Sequence, residues 1–214
     1  RFVLPKGRAV SSFIRIPAIV VGDLKVVAIY RGAGKEVRST EISVKVKPAA
    51  TGTKLHACLK TGKGDIWFEL ATHEAPANVL NFVTLAGNGF YDGLTFQRVI
   101  REDWVATGCP YGLGLGGPGY SIASEAKSAP GLSHDLGTVS MAGFEKSGHH
   151  GSQFFITLRP LKYLDGKFTA IGIVKEEASL AVLREISKVD TDKNTDRPKA
   201  DVSLVSVTIA PKMK

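Results

Sequence analysis

The chain has 214 residues, 43% of them hydrophobic, and a formal net charge of +8. This is enough for one domain of average size with a small appendage. Its two cysteines, Cys58 and Cys109, are too few for a disulfide framework and lack metal-ligand spacing, although one bridge between them is possible. No uninterrupted apolar run reaches the ~18–20 residues that a membrane-spanning helix needs.

The positive charge is concentrated in the first fifty residues. They contain ten Lys or Arg against three acidic residues, whereas residues 51–214 contain eighteen against seventeen. Such a segment is either a solvated polar face on small strands or a surface for an acidic partner. Its aromatic residues are few and scattered, so binding of nucleic acid by base stacking is not expected.

The same segment has the pattern of short strands. Val- and Ile-rich runs at 9–16, 25–30 and 41–47 are separated by Gly-containing turns. The glycines at 32–35 favour a hairpin turn over a phosphate-binding loop, and residues 48–53 resemble a linker. Because so few strands bury little surface, we expect a truncated sandwich or packing on the next domain or another chain. The predicted division is a basic β-rich segment, 1–50, followed by a larger unit, 51–214.

The larger unit is predicted to be mainly β. A strand is expected over 64–70, then a helix that begins near Pro76 and ends at 87–89. Short strands follow at 95–100, 137–142, 153–158 and 168–174, then a second helix at 179–188 and a last strand at 202–209. Many short strands, two helices and Gly-rich connections indicate a β-barrel rather than a parallel α/β sheet.

Several ordered motifs in this unit resemble those of one enzyme family. They are Asn81-Phe82 in the first helix, GFYDGLTFQRVI at 89–100, GLGGPGY at 114–120, GTVSMA at 137–142, GSQFFIT at 151–157 and LDGKFTAIG at 164–172. Over roughly residues 53–212 the chain is similar to cyclophilin-type peptidyl-prolyl cis/trans isomerases. The resemblance implies an eight-stranded antiparallel β-barrel capped by two helices, preceded here by a small β-rich segment.

The resemblance also implies a site. Arg98 aligns with the catalytic arginine of the family, and Phe155 and Leu164 align with walls of its proline pocket. The residues expected to face the peptide backbone are Gln153, Ala142, Gly143 and Gly114. Because strand neighbours point to opposite faces, Phe154 is expected in the core.

The chain departs from the family pattern directly after Arg98. Without gaps, Trp104 stands at the position of a pocket methionine and Ala106 at that of a glutamine that braces the arginine. A shift of one residue would put Trp104 at the pocket phenylalanine and Thr107 at the glutamine. We prefer the shift because it keeps the pocket apolar. At the rim, Tyr163 and Phe168 replace a tryptophan and a histidine, and both are expected to contact substrate.

The predicted function is isomerisation of X-Pro bonds in peptides or folding proteins, without a cofactor or metal, and with a rate lowered by these substitutions. The alternatives are a module that binds proline-containing segments without turning them over, and strands in 1–50 that pair with another chain. The histidines at 134, 149 and 150 are expected to be solvated loop residues rather than metal ligands. The β-rich basic extension favours an exported bacterial protein, periplasmic or extracellular, with a cytoplasmic protein as the alternative.

Overall fold

The computed structural model describes residues 22–26, 29–32, 35–38, 42–46, 54–127, 132–143 and 149–211. Four strands lie in the N-terminal segment: β1 (Gly22–Val26), β2 (Ile29–Gly32), β3 (Lys35–Arg38) and β4 (Ile42–Val46). β2 pairs antiparallel with β3, and Gly32 is opposite Lys35, which confirms the predicted hairpin. β1 pairs antiparallel with β4 in nearly the same register, so the four strands form one interrupted hairpin. The predicted strand at 9–16 and linker at 48–53 lie outside the described residues.

The remaining elements form the larger unit. They are β5 (Leu55–Thr61), β6 (Gly64–Leu70), α1 (Pro76–Gly87), β7 (Leu94–Thr95), β8 (Arg98–Ile100), β9 (Trp104–Thr107), β10 (Ile122–Ala123), β11 (Thr138–Met141), β12 (His149–His150), β13 (Phe154–Thr157), β14 (Ala170–Ile173), α2 (Glu177–Ser187) and β15 (Ser203–Pro211). A 3-10 helix covers Lys162–Leu164. Apart from the run at 95–100, each strand and helix predicted beyond residue 60 is confirmed with small shifts at its ends.

The main sheet is antiparallel, with the strand order β7-β15-β5-β6-β14-β11-β13-β9-β8. Its two edge strands, β7 and β8, are consecutive in the chain and separated by Phe96 and Gln97. The run predicted as one strand at 95–100 is therefore divided, with its first part paired to β15 and its second to β9. Counted as one interrupted strand, β7 and β8 bring the curled sheet to the eight antiparallel strands expected for the barrel.

A cluster of aromatic side chains lies within the mainly aliphatic core. Phe82 of α1 lies 5.7 Å from Phe68, 5.3 Å from Tyr91 and 5.4 Å from Phe154, measured between ring centroids. Phe154 is fully buried, as its place on the strand predicts. The helix that carries Phe82 begins with a proline in its first turn, where no backbone hydrogen bond is lost. The core thus packs α1 against the inner face of the sheet. The outer face of the sheet is left for a functional site.

Candidate active site

A cavity of about 550 Å³ lies against β8, β9 and β13. All ten residues predicted for the site line this cavity: Arg98, Trp104, Gly114, Ala142, Gly143, Gln153, Phe155, Tyr163, Leu164 and Phe168. They come from separate strands and loops over 71 positions of the chain, so the fold is what brings them together. Their roles toward a peptide stay predictions.

Strand register places the arginine beside the apolar floor. Arg98 on β8 is opposite Ala106 on β9, and Ala106 is opposite Phe155 on β13. Side chains in one such row point to the same face of a sheet, so the three lie side by side. Trp104, two residues before Ala106, shares this face and completes one wall.

Phe155 forms the floor, with only 6% of its surface exposed. Its ring centroid lies 5.9 Å from that of Trp104 and 5.6 Å from that of Phe168, whose ring is perpendicular to it. The imidazole of His134 stacks on the ring at 5.9 Å, nearly parallel to it. With three rings around it, Phe155 has little freedom to change rotamer, which is what a rigid proline pocket requires.

His134 corrects a prediction. It is buried with 1% exposure, and His150 with 3%, so neither is a solvated loop residue. The Nδ1 atom of His134 lies 2.8 Å from Oδ1 of Asp165, and its Nε2 atom lies 2.9 Å from Oγ of Ser140. Because Asp165 is far from His134 in the sequence, no local pattern could reveal that this buried imidazole has a carboxylate partner at the surface. The side chain of His149 lies outside what the structure describes.

The carboxyl group of Asp165 is the partner of the His134 imidazole. Partial burial of its carboxyl opposes ionisation, but hydrogen bonds from Ser133 Oγ and from the backbone and imidazole of His134 outweigh it and lower the pKa to about 2. Asp165 is therefore ionised at neutral pH and fixes the imidazole beneath Phe155. Ser140 is fully buried, so this Ser-His-Asp series supports the pocket floor and offers no accessible nucleophile.

The guanidinium of Arg98 is held on two sides. Its Cζ atom lies 5.1 Å from the centroid of the Trp104 ring, within the range of a cation–π interaction. Its Nε and Nη2 atoms donate to Oδ2 of Asp196 at 3.1 and 2.9 Å. About half of the side chain is exposed, so the guanidinium is accessible to a ligand in the cavity.

The structure decides the alignment after Arg98. Trp104 and Ala106 face the cavity, whereas Thr107 is fully buried and donates through Oγ1 to the carbonyl of Thr95 at 2.8 Å. The preferred shift, with Thr107 at the bracing position, is therefore wrong. Alternation along β9 is the physical reason, because a residue next to Ala106 must point to the other face. The position beside Arg98 is occupied by Ala106, whose methyl group cannot donate or accept a hydrogen bond.

The Gly-rich loop contributes Gly112, Leu113 and Gly114 to the cavity lining. The side-chain nitrogen of Gln153 donates to the carbonyls of Gly114 at 3.1 Å and Gly116 at 2.7 Å. The same loop surrounds the sulfur of Cys109. Burial alone would raise the pKa of this thiol, but hydrogen bonds from backbone amides between residues 111 and 116 lower it by more. The net shift of the pKa is therefore downward. Cys58 and Cys109 are both free, so the possible bridge does not form.

Six lining residues were not among the predicted site residues. They are Gln97, Ala106, Gly112, Leu113, Thr195 and Arg197. Gln97 is 7% exposed and donates to Oε1 of Gln153 at 3.1 Å, while its own Oε1 has no partner. Its position beside Arg98 in the matched motif was a usable signal. Thr195 and Arg197 come from the irregular segment after α2, where no periodicity marks a functional residue.

Two further site types were sought. Among the described residues, no group of three or more His, Cys, Asp or Glu side chains could hold a metal ion. In the same part of the chain, no helix has the length and apolar character needed to cross a bilayer.

The comparisons with known proteins agree with this geometry. The family described as "Cyclophilin type peptidyl-prolyl cis-trans isomerase/CLD" matches residues 56–209. A peptidyl-prolyl cis-trans isomerase of Synechococcus elongatus is 45% identical over 134 residues, covering 63% of this chain and 90% of that protein. One from Helicobacter pylori is 42% identical over 145 residues, covering 68% and 88%.

Solved structures with the same fold include a cyclophilin-type isomerase of Cryptosporidium parvum. The similarity has a TM-score of 0.69 at 27% identity, and it covers 75% of this chain and 99% of that one. A second structure of that protein, in the presence of the dipeptide Ala-Pro, has a TM-score of 0.67 at 29% identity and covers 73% and 99%. The chain therefore belongs to the family of cyclophilin-type peptidyl-prolyl cis-trans isomerases.

Proposed function

We propose that this isomerase binds an X-Pro segment with the proline ring on Phe155 and rotates the preceding amide beside the guanidinium of Arg98. The observation that carries the proposal is the row Arg98, Ala106 and Phe155 across three neighbouring strands. It puts a cation at the edge of an apolar pocket. Only Ala106 lies between Arg98 and Phe155, the floor on which a proline would lie.

The chemistry needs no bond to be broken. Partial double-bond character gives the amide a rotation barrier of ~18–20 kcal/mol. In the twisted state the prolyl nitrogen regains a lone pair, to which an N–H of Arg98 can donate. A group that donates to this state and to neither planar state lowers the barrier, which is the requirement for catalysis.

The rest of the cavity is suited to an extended, partly apolar peptide. Leu113 and Tyr163, which both line it, are 64% and 59% exposed and offer apolar surface to a ligand. Gln97 and Gln153, which also line the cavity, are joined by a hydrogen bond of 3.1 Å and give it a polar side. We propose flexible proline-containing segments of folding proteins as the clients.

A binding module that does not turn its ligand over is the second candidate. Ala106 favours it, because an alanine beside Arg98 cannot brace the guanidinium by a hydrogen bond. Exchange NMR of an Ala-Pro peptide with the full chain separates the two. Line broadening or exchange peaks between the cis and trans forms, at substoichiometric protein, are expected for the isomerase. Changes in the chemical shifts of the peptide, without faster cis/trans exchange, would show that the protein is only a binding module.

For residues 1–50, considered as a segment separate from 51–214, we propose contact with an acidic partner surface. The support is the excess of ten basic over three acidic residues in this segment. Attraction of this kind is screened over about 8 Å at physiological salt. Binding of the full chain to a Glu-rich polypeptide should therefore weaken from 50 to 300 mM salt. Binding that is absent at low salt, or insensitive to salt, would contradict the proposal.

A further inference from the structure

The carboxylate of Asp196 contacts one edge of the Arg98 guanidinium. Oδ2 accepts hydrogen bonds from Nε at 3.1 Å and Nη2 at 2.9 Å. A guanidinium has five N–H donors, and this arrangement uses two of them. Both protons of Nη1 and the second proton of Nη2 remain for a ligand. Asp196 thus orients the group without using all its donors.

The backbone around Asp196 fixes the carboxylate relative to β8. The carbonyl of Asp196 accepts from the N–H of Val99 at 2.9 Å, directly beside Arg98, and its own N–H donates to the carbonyl of Asp192 at 2.9 Å. A bridge between Thr191 and Pro198 closes the segment. Asp196 itself has a positive φ of 57°, a conformation that few residues other than Gly, Asn and Asp adopt readily.

Arg98 needs such a contact because its neighbour in the sheet supplies none. Ala106 is opposite Arg98 and has no polar atom in its side chain. An arginine with free torsions would lose side-chain entropy each time it met the twisted amide, and a prior hydrogen bond removes part of that cost. From these contacts we infer that Asp196 is a positioning residue, which holds the Arg98 guanidinium toward the proline pocket. This inference rests on the function proposed above.

A purely stabilising ion pair is the competing explanation. The side chains of Arg98 and Asp196 are 51% and 33% exposed, and pairs with this exposure contribute little to folding. Positioning therefore predicts a loss of turnover without a loss of stability, whereas a stabilising role predicts the reverse. Peptide affinity provides a third, independent readout.

Two variants test this while preserving the loop. Asp196→Asn and Asp196→Gly both accommodate a φ of 57°. We expect kcat to fall about three-fold for Asn, which keeps one neutral acceptor, and about ten-fold for Gly. KM and the urea midpoint should stay close to wild type. The control is Glu185→Gln, which removes an exposed carboxylate that pairs with Lys188 at 2.6 Å outside the cavity lining and should leave kcat unchanged.

The Nε–H resonance of Arg98 reports the contact directly. Its proton should exchange with water faster in Asp196→Gly than in wild type or in Glu185→Gln. If kcat in Asp196→Gly equals wild type while Arg98→Ala is inactive, the positioning inference alone is overturned. A higher KM with unchanged kcat would also overturn it, since Asp196 would then be a peptide contact. Full activity of Arg98→Ala would refute the proposed role of Arg98 and this inference with it.

Discussion

Trp104 stands between the floor and the cation of the pocket. Its ring lies 5.9 Å from that of Phe155 and 5.1 Å from Cζ of Arg98, and it is partly exposed. A peptide that covers Phe155 must displace water from this indole. We expect an Ala-Pro peptide to change the intrinsic fluorescence of the protein, and Trp104→Phe to abolish the change.

The other tryptophan provides the control. Trp67 lies on β6, away from the cavity lining, so Trp67→Phe should preserve the peptide-induced signal. A signal that survives in Trp104→Phe and disappears in Trp67→Phe would show that the peptide binds elsewhere.

The pH dependence of stability should reveal the carboxylate beneath the pocket. The pKa of Asp165 is lowered from 3.8 to about 2, so its ionised form stabilises the fold above pH 4 and this contribution is lost as the pH falls toward 2. We expect Asp165→Asn to be less stable than wild type to urea at pH 7, with a difference that narrows between pH 4 and pH 2.

Asp135→Asn serves as the matched control, because that side chain is half exposed and pairs with Lys162 at the surface. Its stability should follow wild type at each pH. A constant difference between Asp165→Asn and wild type down to pH 2 would contradict the assigned role of the carboxylate.

For single residues, the sequence predicted the position correctly where strand alternation or a family motif determined it. Alternation puts Phe154 and Phe155 on opposite faces, and the family motif assigns Phe155 to the cavity and so leaves Phe154 to the core. The contact of His134 with Asp165 and that of Arg98 with Asp196 could not be predicted, because each joins residues far apart in the chain. Their distance is set by the packing of loops, which leave no periodic trace in a sequence.

Among the elements, the turn after β9 depends on a glycine. Gly108 has a φ of 90°, and a Cβ there would lie 2.5 Å from the carbonyl oxygen of Ser152. Gly108→Ala should therefore combine backbone strain with an overlap that no rotamer relieves. We expect a loss of about 3 kcal/mol in the free energy of unfolding, measured by urea denaturation.

Gly117→Ala is the comparison, since a Cβ at Gly117 meets nothing within 4 Å. It should change the free energy of unfolding by less than about 0.5 kcal/mol. Equal stability of the two variants would mean that the turn adjusts more freely than its close contact implies.

The Gly-rich loop should affect binding rather than turnover. Leu113 lines the cavity and is largely exposed, so a bound peptide would cover apolar surface that water now reaches. We expect Leu113→Thr to raise KM about three-fold for peptides with a bulky apolar residue near the proline, with little change in kcat. Leu136→Thr, at an exposed leucine outside the lining, should have no effect on KM. A fall in kcat with KM unchanged would argue against a role in binding.

Element prediction missed the seven-residue strand β5, and it also failed where strands were short or divided. β9 has four residues and follows the charged turn Arg101-Glu102-Asp103, so no apolar alternation marks it. The run at 95–100 alternates well enough to suggest one strand, but the curl of the sheet distributes it between two partners. A local pattern cannot reveal such a division, because it depends on where the sheet closes.

For the whole molecule, the ordered motifs were sufficient for the fold. The barrel, the two helices and the common cavity follow from them, because the motifs occupy strand ends and loops that the barrel brings to one side. The motifs could not show which residue replaces the missing polar partner of Arg98. Ala106 suggests a weakened site, yet Asp196, ninety positions later in the chain, accepts two hydrogen bonds from the same guanidinium.

The most direct test of this account is exchange NMR on an Ala-Pro peptide with wild type, Arg98→Ala and Arg101→Ala in parallel, each at equal peptide saturation. Arg101 is a matched arginine on the turn after β8, outside the cavity lining. We expect accelerated cis/trans exchange for wild type and Arg101→Ala. For Arg98→Ala we expect a rate at least about ten-fold slower, the order of magnitude of one lost charged hydrogen bond. Exchange that is equally fast in Arg98→Ala would contradict it.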